Sequence, residues 1–497
     1  MSEHDIHNLS WGKSILKYGK WYIISSLFTK GIGIILLPVF THYLSPSEYG
    51  ILNSLNAVTM LLPIFISLYL DSAFGRFFHD VKKDHDKSAE LFSTIFWFVS
   101  IFGVLVVALS LLTARLWVPG LLQVPVWPYA FLAFVPALFG QLGQLGIVFL
   151  RQSLLARQTT IVEVSSMLIS IIITLPLLII FNLGVIARLI GVFFASSFLV
   201  IFYVIYFWRK GLLSFKFNYG LLFACLAYSI PLIPNIAGGW IAGLSDRLVL
   251  AKYADLKSVG IYSLGYQLAF SLYIVSDAIT QVQGPMSMSG LVHDRENTKR
   301  KIAKFITSLL AIMLVCHLAL VLFSREILYI FTDKRYFDAY KVIGIIGFSY
   351  VLSSLYRVFS DIVSYHKKTF VISIAAIIMG TCGLTINLLF VPRFGYLASG
   401  VANLISTFVY TAIIFIACQI IDKIKIEWAD IWKILGIYTV ILLLALFYLM
   451  RNVSFGIFVF KILLIVFAGE MFYRTAYCAS LFSTIKMYYG QIITKGK

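Results

Sequence analysis

The stretch "THYLSPSEYGILNS", Thr41 to Ser54, returns in altered form as "AKYADLKSVGIYSL", Ala251 to Leu264. At one offset, 210 positions from Tyr43 to Tyr253, Gly50 falls on Gly260 and Ile51 on Ile261. Each stretch reads as the end of an apolar run, a short polar turn, and a glycine that opens the next long run. Three identities carry little alone. Their weight comes from recurring at the same place in two successive series of apolar runs.

Those runs extend along the whole chain. Of its 497 residues, 60% are hydrophobic and 12% charged, whereas a soluble domain carries about 25% charged residues. The chain therefore cannot assemble a water-facing surface. Crossing a bilayer takes about 20 residues of helix, and in hydrocarbon every backbone polar group must pair internally, which leaves helices or closed barrels. The runs are long and continuous rather than short and alternating, so the fold class is all-α and polytopic. Polar breaks divide the chain into about fourteen transmembrane helices, the first near 20–43, the second near 49–78 and the seventh near 219–247. The repeat then predicts two pseudo-symmetric six-helix halves around a central cleft, 1–216 and 217–419, with two additional helices and a tail in 420–497.

The net charge of +18 would suit nucleic acid if it were clustered on one face. Instead most of the basic residues lie in alternate connections, among them Lys82, Lys83 and Lys87, then Arg295, Lys299, Arg300 and Lys301. This is the positive-inside pattern; it predicts cytoplasmic termini and membrane lipid, not nucleic acid, as the partner. The five cysteines form no CxxC pair and read as small buried hydrophobes. There is no P-loop, zinc signature or nucleophile elbow, and no connection long enough to carry a catalytic domain. The expectation is a transporter, not an enzyme, and one without a bound cofactor.

Charges inside the runs are the candidate functional residues, because each costs at least about 2.5–3.5 kcal/mol near the bilayer centre. Counted from Gly50 and Gly260, Asp71 and Asp277 differ in register by one helical turn, which predicts carboxylates on similar faces at similar depth. Arg76 sits at i+5 from Asp71 but at i−4 from Asp80, so the latter is its natural helical partner. Arg357 and Asp361 stand at i and i+4 and share a face. Lys30 lies deep in the first run with no acidic residue one turn away. Asp246 and Arg247 adjoin near the end of the seventh. Gln141 and Gln144 lie among glycines and read as packing residues.

"LPVFTHYLSPSEYGILN" (Leu37 to Asn53), "LDSAFGRFF" (Leu70 to Phe78) and "DRLVLAKYADLKSVGIYSLGYQLA" (Asp246 to Ala269) resemble the oligosaccharide and polysaccharide flippases of the multidrug/oligosaccharidyl-lipid/polysaccharide exporter superfamily. The resemblance implies movement of an undecaprenyl-pyrophosphate-linked oligosaccharide, an O-antigen, capsule or exopolysaccharide repeat unit, across the bacterial inner membrane by ion-coupled alternating access. It also implies work beside a polysaccharide polymerase and a chain-length regulator. The family's basic residue of the second span matches Arg76, and its Asp-Arg pair matches Asp246 and Arg247. Lys30, Arg357, Asp71, Asp277 and Asp361 are candidates from depth and pairing alone. Lys30, Arg76, Arg247 and Arg357 are expected to hold the anionic substrate; Asp71, Asp246, Asp277 and Asp361 are expected to exchange H⁺ or Na⁺. Rival expectations are a multidrug or cation antiporter of the same architecture, a peptidoglycan-precursor flippase, and a membrane glycosyltransferase or polymerase.

Overall fold

The computed structural model describes residues 32–33, 35–153, 155–444 and 455–475. Among these the chain is helical throughout, with no strand. Ten helices are long and apolar enough to cross a membrane, or eleven if one bent pair counts as a single span. Most of the expected first span lies outside the described residues. Contacts divide the chain into two compact units. The first comprises residues 1–240 and 247–260, the second residues 241–246 and 261–497.

In the first unit a short α1 (Leu37–Tyr43) leads into α2 (Pro46–Ser67). Ser45 and Glu48 form a reciprocal capping box at the start of α2, and Pro46 occupies its first turn. That combination satisfies backbone donors that a helix start would leave bare. The expected single run over 49–78 is broken: Leu68 and Tyr69 both adopt left-handed backbone (φ 49° and 61°) before α3 (Leu70–Val81). Non-glycine residues there cost roughly 1–2 kcal/mol each. Ser67 stitches the break, donating to the Pro63 carbonyl (3.0 Å) and accepting from the Tyr69 N–H (3.2 Å). The break also removes the basis for counting register from Gly50 to Asp71.

Then follow α4 (His85–Leu122), α5 (Tyr129–Gln152), α6 (Ala156–Ile179), α7 (Val185–Arg209) and α8 (Tyr219–Ser229). A cluster of phenylalanines from α3, α4, α5 and α7 anchors this unit, with Phe92 against Phe207 (4.1 Å between centroids) and Phe149 against Phe207 (4.9 Å). Outward, α4 presents Ile101, Leu105, Leu112 and Leu116, all more than 60% exposed, a stripe that only lipid would solvate. Because α8 packs on α3 and α4, the packing boundary falls later in the chain than residue 217. The expected run 219–247 is likewise interrupted, at Pro231 and Pro234, before α9 (Ile233–Tyr253); proline removes a helical donor and bends the axis.

The repeat is visible in the first turn of α10 (Leu256–His293). Asp255 caps Ser258 N–H (2.6 Å) where Ser45 caps Glu48. A Cβ on Gly50 would stand 1.9 Å from the Leu256 carbonyl oxygen, and one on Gly260 would stand 1.9 Å from the Pro46 carbonyl oxygen. Every residue in this contact has its counterpart at the same offset of 210, so the contact is reciprocal. It lies wholly inside the first unit, and only hydrogen side chains permit backbones this close.

The second unit continues α10 and adds α11 (Arg295–Leu322), an amphipathic α12 (Ser324–Phe331), α13 (Tyr340–Tyr365), α14 (Thr369–Phe394), α15 (Tyr396–Ile421), α16 (Trp428–Leu444) and α17 (Phe455–Thr475). Helix α13 packs on α11 and α15, while α16 and α17 pack on α11. His317 of α11 is a satisfied core residue: its Nε2 lies 2.7 Å from the Gly344 carbonyl and its Nδ1 2.7 Å from the Tyr438 hydroxyl. The carbonyl only accepts, so Nε2 carries the proton and Tyr438 donates to Nδ1. Lys461, 1% exposed, pairs with Glu326 at 2.5 Å.

Candidate functional site

The second unit gathers charge on facing surfaces of α10 and α13. Arg357 Nη1 donates to Asp277 Oδ1 at 2.8 Å, and both side chains are only 20% exposed. The guanidinium lies 4.3 Å from the centroid of Tyr273, which stacks on Phe270 at 4.8 Å. Cation and ring attract through the ring's quadrupole, more strongly where water is excluded. Asp361 follows Arg357 by one turn, yet Arg357 forms its ion pair with Asp277 on another helix. Arg357 and Asp361 stand one turn apart on α13, and the ion pair of Arg357 reaches across to α10 at 2.8 Å. Gly284 makes room for Asp361, since a Cβ there would stand 3.2 Å from the carboxylate. One cation thus stands among two carboxylates and an aromatic face.

Asp71 occupies the first turn of α3 and accepts from Gln141 Nε2 at 3.4 Å. The break at Leu68–Tyr69 explains why a carboxylate is tolerated there. It creates a helix start whose free N–H groups and dipole favour negative charge. Gln141, expected to serve packing, is this carboxylate's donor. Arg76 is paired with Asp80 at 2.9 Å, as the i+4 spacing predicted, and both side chains are 56% exposed. Asp246 accepts a hydrogen bond from the Tyr262 hydroxyl, and Asp246 and Arg247 are both buried. The structure thus brings Arg357, Asp277 and Asp361 together. Asp71, Arg76 and Arg247 belong to the other unit, and Lys30 lies outside the described residues.

Two features escaped the sequence reading. Tyr273 is one of 28 tyrosines and nothing in its local pattern marks it. Arg188, four residues into α7, has the look of an interfacial anchor, yet its Nη1 donates to Ser170 Oγ at 2.9 Å. A further cluster lies just past the end of α15. Asp422, 2% exposed, meets Lys299 (2.5 Å), Arg295 (3.1 Å) and His366 (3.1 Å). Burial alone would raise this carboxyl; the hydrogen bonds from Lys299, His366 and Arg295 outweigh it and hold it below the usual carboxylate range.

The chain is similar to known proteins in family and fold. The family model described as "Polysaccharide biosynthesis protein" matches residues 15–291. "Lsg locus putative protein 1" of Haemophilus influenzae is 24% identical over 265 residues, which cover 52% of this chain and 62% of that protein. The match thus spans less than two thirds of the relative's length. Among solved structures, "Lipid II flippase MurJ, inward closed conformation" is similar at a TM-score of 0.69 and 17% identity, over 93% of this chain and 99% of that one. An inward-facing multidrug resistance MATE family transporter of the MOP superfamily is similar at 0.60 and 14% identity, over 80% and 96%. A mutant form of VcmN, a MATE transporter of Vibrio cholerae, is similar at 0.56 and 14%, over 82% and 97%. These likenesses establish the fold, the family match covers more than half of the sequence, and the chain belongs to the polysaccharide biosynthesis protein family.

Proposed function

We propose that this protein moves a lipid-linked oligosaccharide across the bacterial inner membrane. The carrier is undecaprenyl pyrophosphate, the glycan an O-antigen, capsule or exopolysaccharide repeat unit, and the driving force an exchange of H⁺ or Na⁺ during alternating access. The observation that carries this reading is the Arg357, Asp277 and Tyr273 cluster inside the apolar body of a polysaccharide-family member. An anionic pyrophosphate competes with Asp277 for the Arg357 fork, which binds phosphate bidentately. The Tyr273 ring, stacked on Phe270, holds the guanidinium in place for that exchange. Asp361 and Asp71, neither held by an arginine contact of ion-pair length among the described residues, are the carboxylates proposed to exchange the coupling ion. Lys30, Arg76 and Arg247 are proposed to guide the head group, and a polymerase with its chain-length regulator to receive it.

The test is reconstitution of purified protein into liposomes with a fluorescent undecaprenyl-pyrophosphate glycan, read as its accessibility in each leaflet under an imposed pH or Na⁺ gradient. Protein-dependent flipping that falls at least tenfold in Arg357→Met is expected. Absence of flipping by folded wild type across several lipid-linked glycans, together with gradient-driven export of cationic dyes, would overturn the reading in favour of an antiporter.

A further inference from the structure

Within the first unit lies a cavity of about 740 Å³ between the residues just before α1 and helices α5, α6 and α7. Leu36, Ile147, Met167, Ile171, Val192 and Leu199 make its walls apolar. Among the described residues two charged stations interrupt them. One is Arg151 with Glu163, an ion pair at 2.5 Å. The other is Arg188 with Ser170. Ser170 follows Glu163 by about two turns of α6, roughly 10 Å along the axis.

Arg188 is oriented against its ordinary preference. Helices α6 and α7 touch where a Cβ on Gly191 would meet the Ser170 carbonyl oxygen at 2.6 Å. Arg188 lies one turn closer than Gly191 to the start of α7. An arginine so near a helix end normally extends outward to water. This one reaches back along the helix to the Ser170 hydroxyl, its guanidinium 5.7 Å from the Phe40 ring, with the Tyr49 phenol nearby. Its partners among the described residues include no carboxylate. A cation turned into an apolar cavity with a neutral hydroxyl for company costs free energy unless an anion completes it.

We infer that this cavity is a binding site for an anionic phospholipid, whose phosphodiester is held by Arg188 and Ser170 and whose acyl chain lies along the apolar walls. A phosphate ion alone would leave nearly all of the volume unfilled. A zwitterionic lipid would bring its own ammonium beside Arg188, competing with it for the phosphodiester. Arg151 already has a carboxylate partner in Glu163 at 2.5 Å, so among the described lining residues Arg188 is the cation that offers the head group a place to bind.

The test is native mass spectrometry of the full-length protein, released from detergent micelles supplemented with phosphatidylglycerol or phosphatidylethanolamine. Wild type retains phosphatidylglycerol in preference to phosphatidylethanolamine. Arg188→Met lowers phosphatidylglycerol retention about tenfold, the loss of one charge-assisted contact, and lowers phosphatidylethanolamine retention less. Gly140→Phe gives a second route that spares the cation. Gly140 lines the cavity and a Cβ there meets nothing within 4 Å, so the ring projects into the acyl-chain path and lowers retention of both lipids. Retention of phosphatidylglycerol unchanged in Gly140→Phe overturns the inference, even should Arg188→Met fail to fold. Displacement of phosphatidylglycerol by undecaprenyl phosphate at a lower concentration than by phosphatidylglycerol itself also overturns it, assigning the cavity to the glycan carrier. The binding readout is independent of flipping, so its failure and the failure of the transport reading are separable.

Discussion

Replacing Arg357 by methionine keeps most of the side-chain volume and removes the charge. Asp277 then loses a partner at 2.8 Å in a position where it is only 20% exposed. Breaking a buried ion pair by deleting one member costs about 3–5 kcal/mol, most of it the desolvation of the group left behind. The residual exposure on both sides puts the expected loss near the lower end, about 3 kcal/mol. Asp277→Asn costs less, because an amide tolerates burial better than a carboxylate, and the Arg357 guanidinium keeps its contact with Tyr273 at 4.3 Å. The double variant is expected to recover about 2 kcal/mol relative to the sum of the two singles. The assay is thermal unfolding of the purified protein in detergent, followed by intrinsic fluorescence. A parallel cycle of Arg357 with Asp361 is the control, since those residues stand one turn apart on α13 and an intrahelical pair is worth only about 0.2–0.5 kcal/mol. Coupling to Asp361 that equals or exceeds coupling to Asp277 would refute the cross-helix pairing and with it the geometry proposed for phosphate capture.

At the reciprocal crossing, a Cβ on Gly50 or Gly260 must be relieved from 1.9 Å to ordinary contact at 3.4 Å, parting the backbones by roughly 1.5 Å; each alanine variant should cost about 1–3 kcal/mol or more. One displacement relieves both clashes, so the Gly50→Ala, Gly260→Ala double variant should melt well above the additive expectation; strict additivity would count against the shared contact. Lys461→Met should lower the melting temperature by stranding Glu326 beside it, and Glu326→Gln in the same chain should restore part of the loss; no rescue would mean the pair is not formed. Asp422 has a depressed carboxyl pKa in the folded state, so its stabilisation is fully present above the unfolded value of about 3.9 and is lost as pH falls through the lower folded value. Asp422→Asn should therefore flatten the acid side of a melting-temperature profile below about pH 4, and an unchanged acid limb would contradict the Lys299, Arg295 and His366 contacts.

Composition and run length were enough for an all-helical membrane protein, because a chain this poor in charge has no other stable arrangement in lipid. The repeat around Gly50 and Gly260 was legible too, since a glycine demanded by backbone contact cannot drift to another residue without clash. What remained hidden depended on three-dimensional neighbours. Hydropathy cannot register the left-handed break at Leu68 and Tyr69, as both residues are apolar. The partner of Arg357 stayed hidden because sequence spacing exposes only neighbours on the same helix, and Asp277 is 80 positions away. Tyr273 and Gln141 acquired roles only through contacts made across helices. Arg188 was overlooked for a related reason: position along a run predicts depth, but not whether a long side chain extends toward water or back into the protein.

The Gly50 contact also sets an order of events during synthesis. The turn at Pro46–Gly50 packs on backbone that lies 210 residues later in the chain. At about 5–20 residues per second, a ribosome needs roughly 10–40 s to make that stretch. Through this interval a bare glycine face and a closely shaped notch wait in the membrane with their partner not yet translated. A nascent chain halted after the sixth span thus lacks residues 247–260, which belong to its own first unit. Such a fragment is an unfinished object to quality control rather than an autonomous half, and the insertion machinery that holds it must do so until the turn at Asp255 emerges.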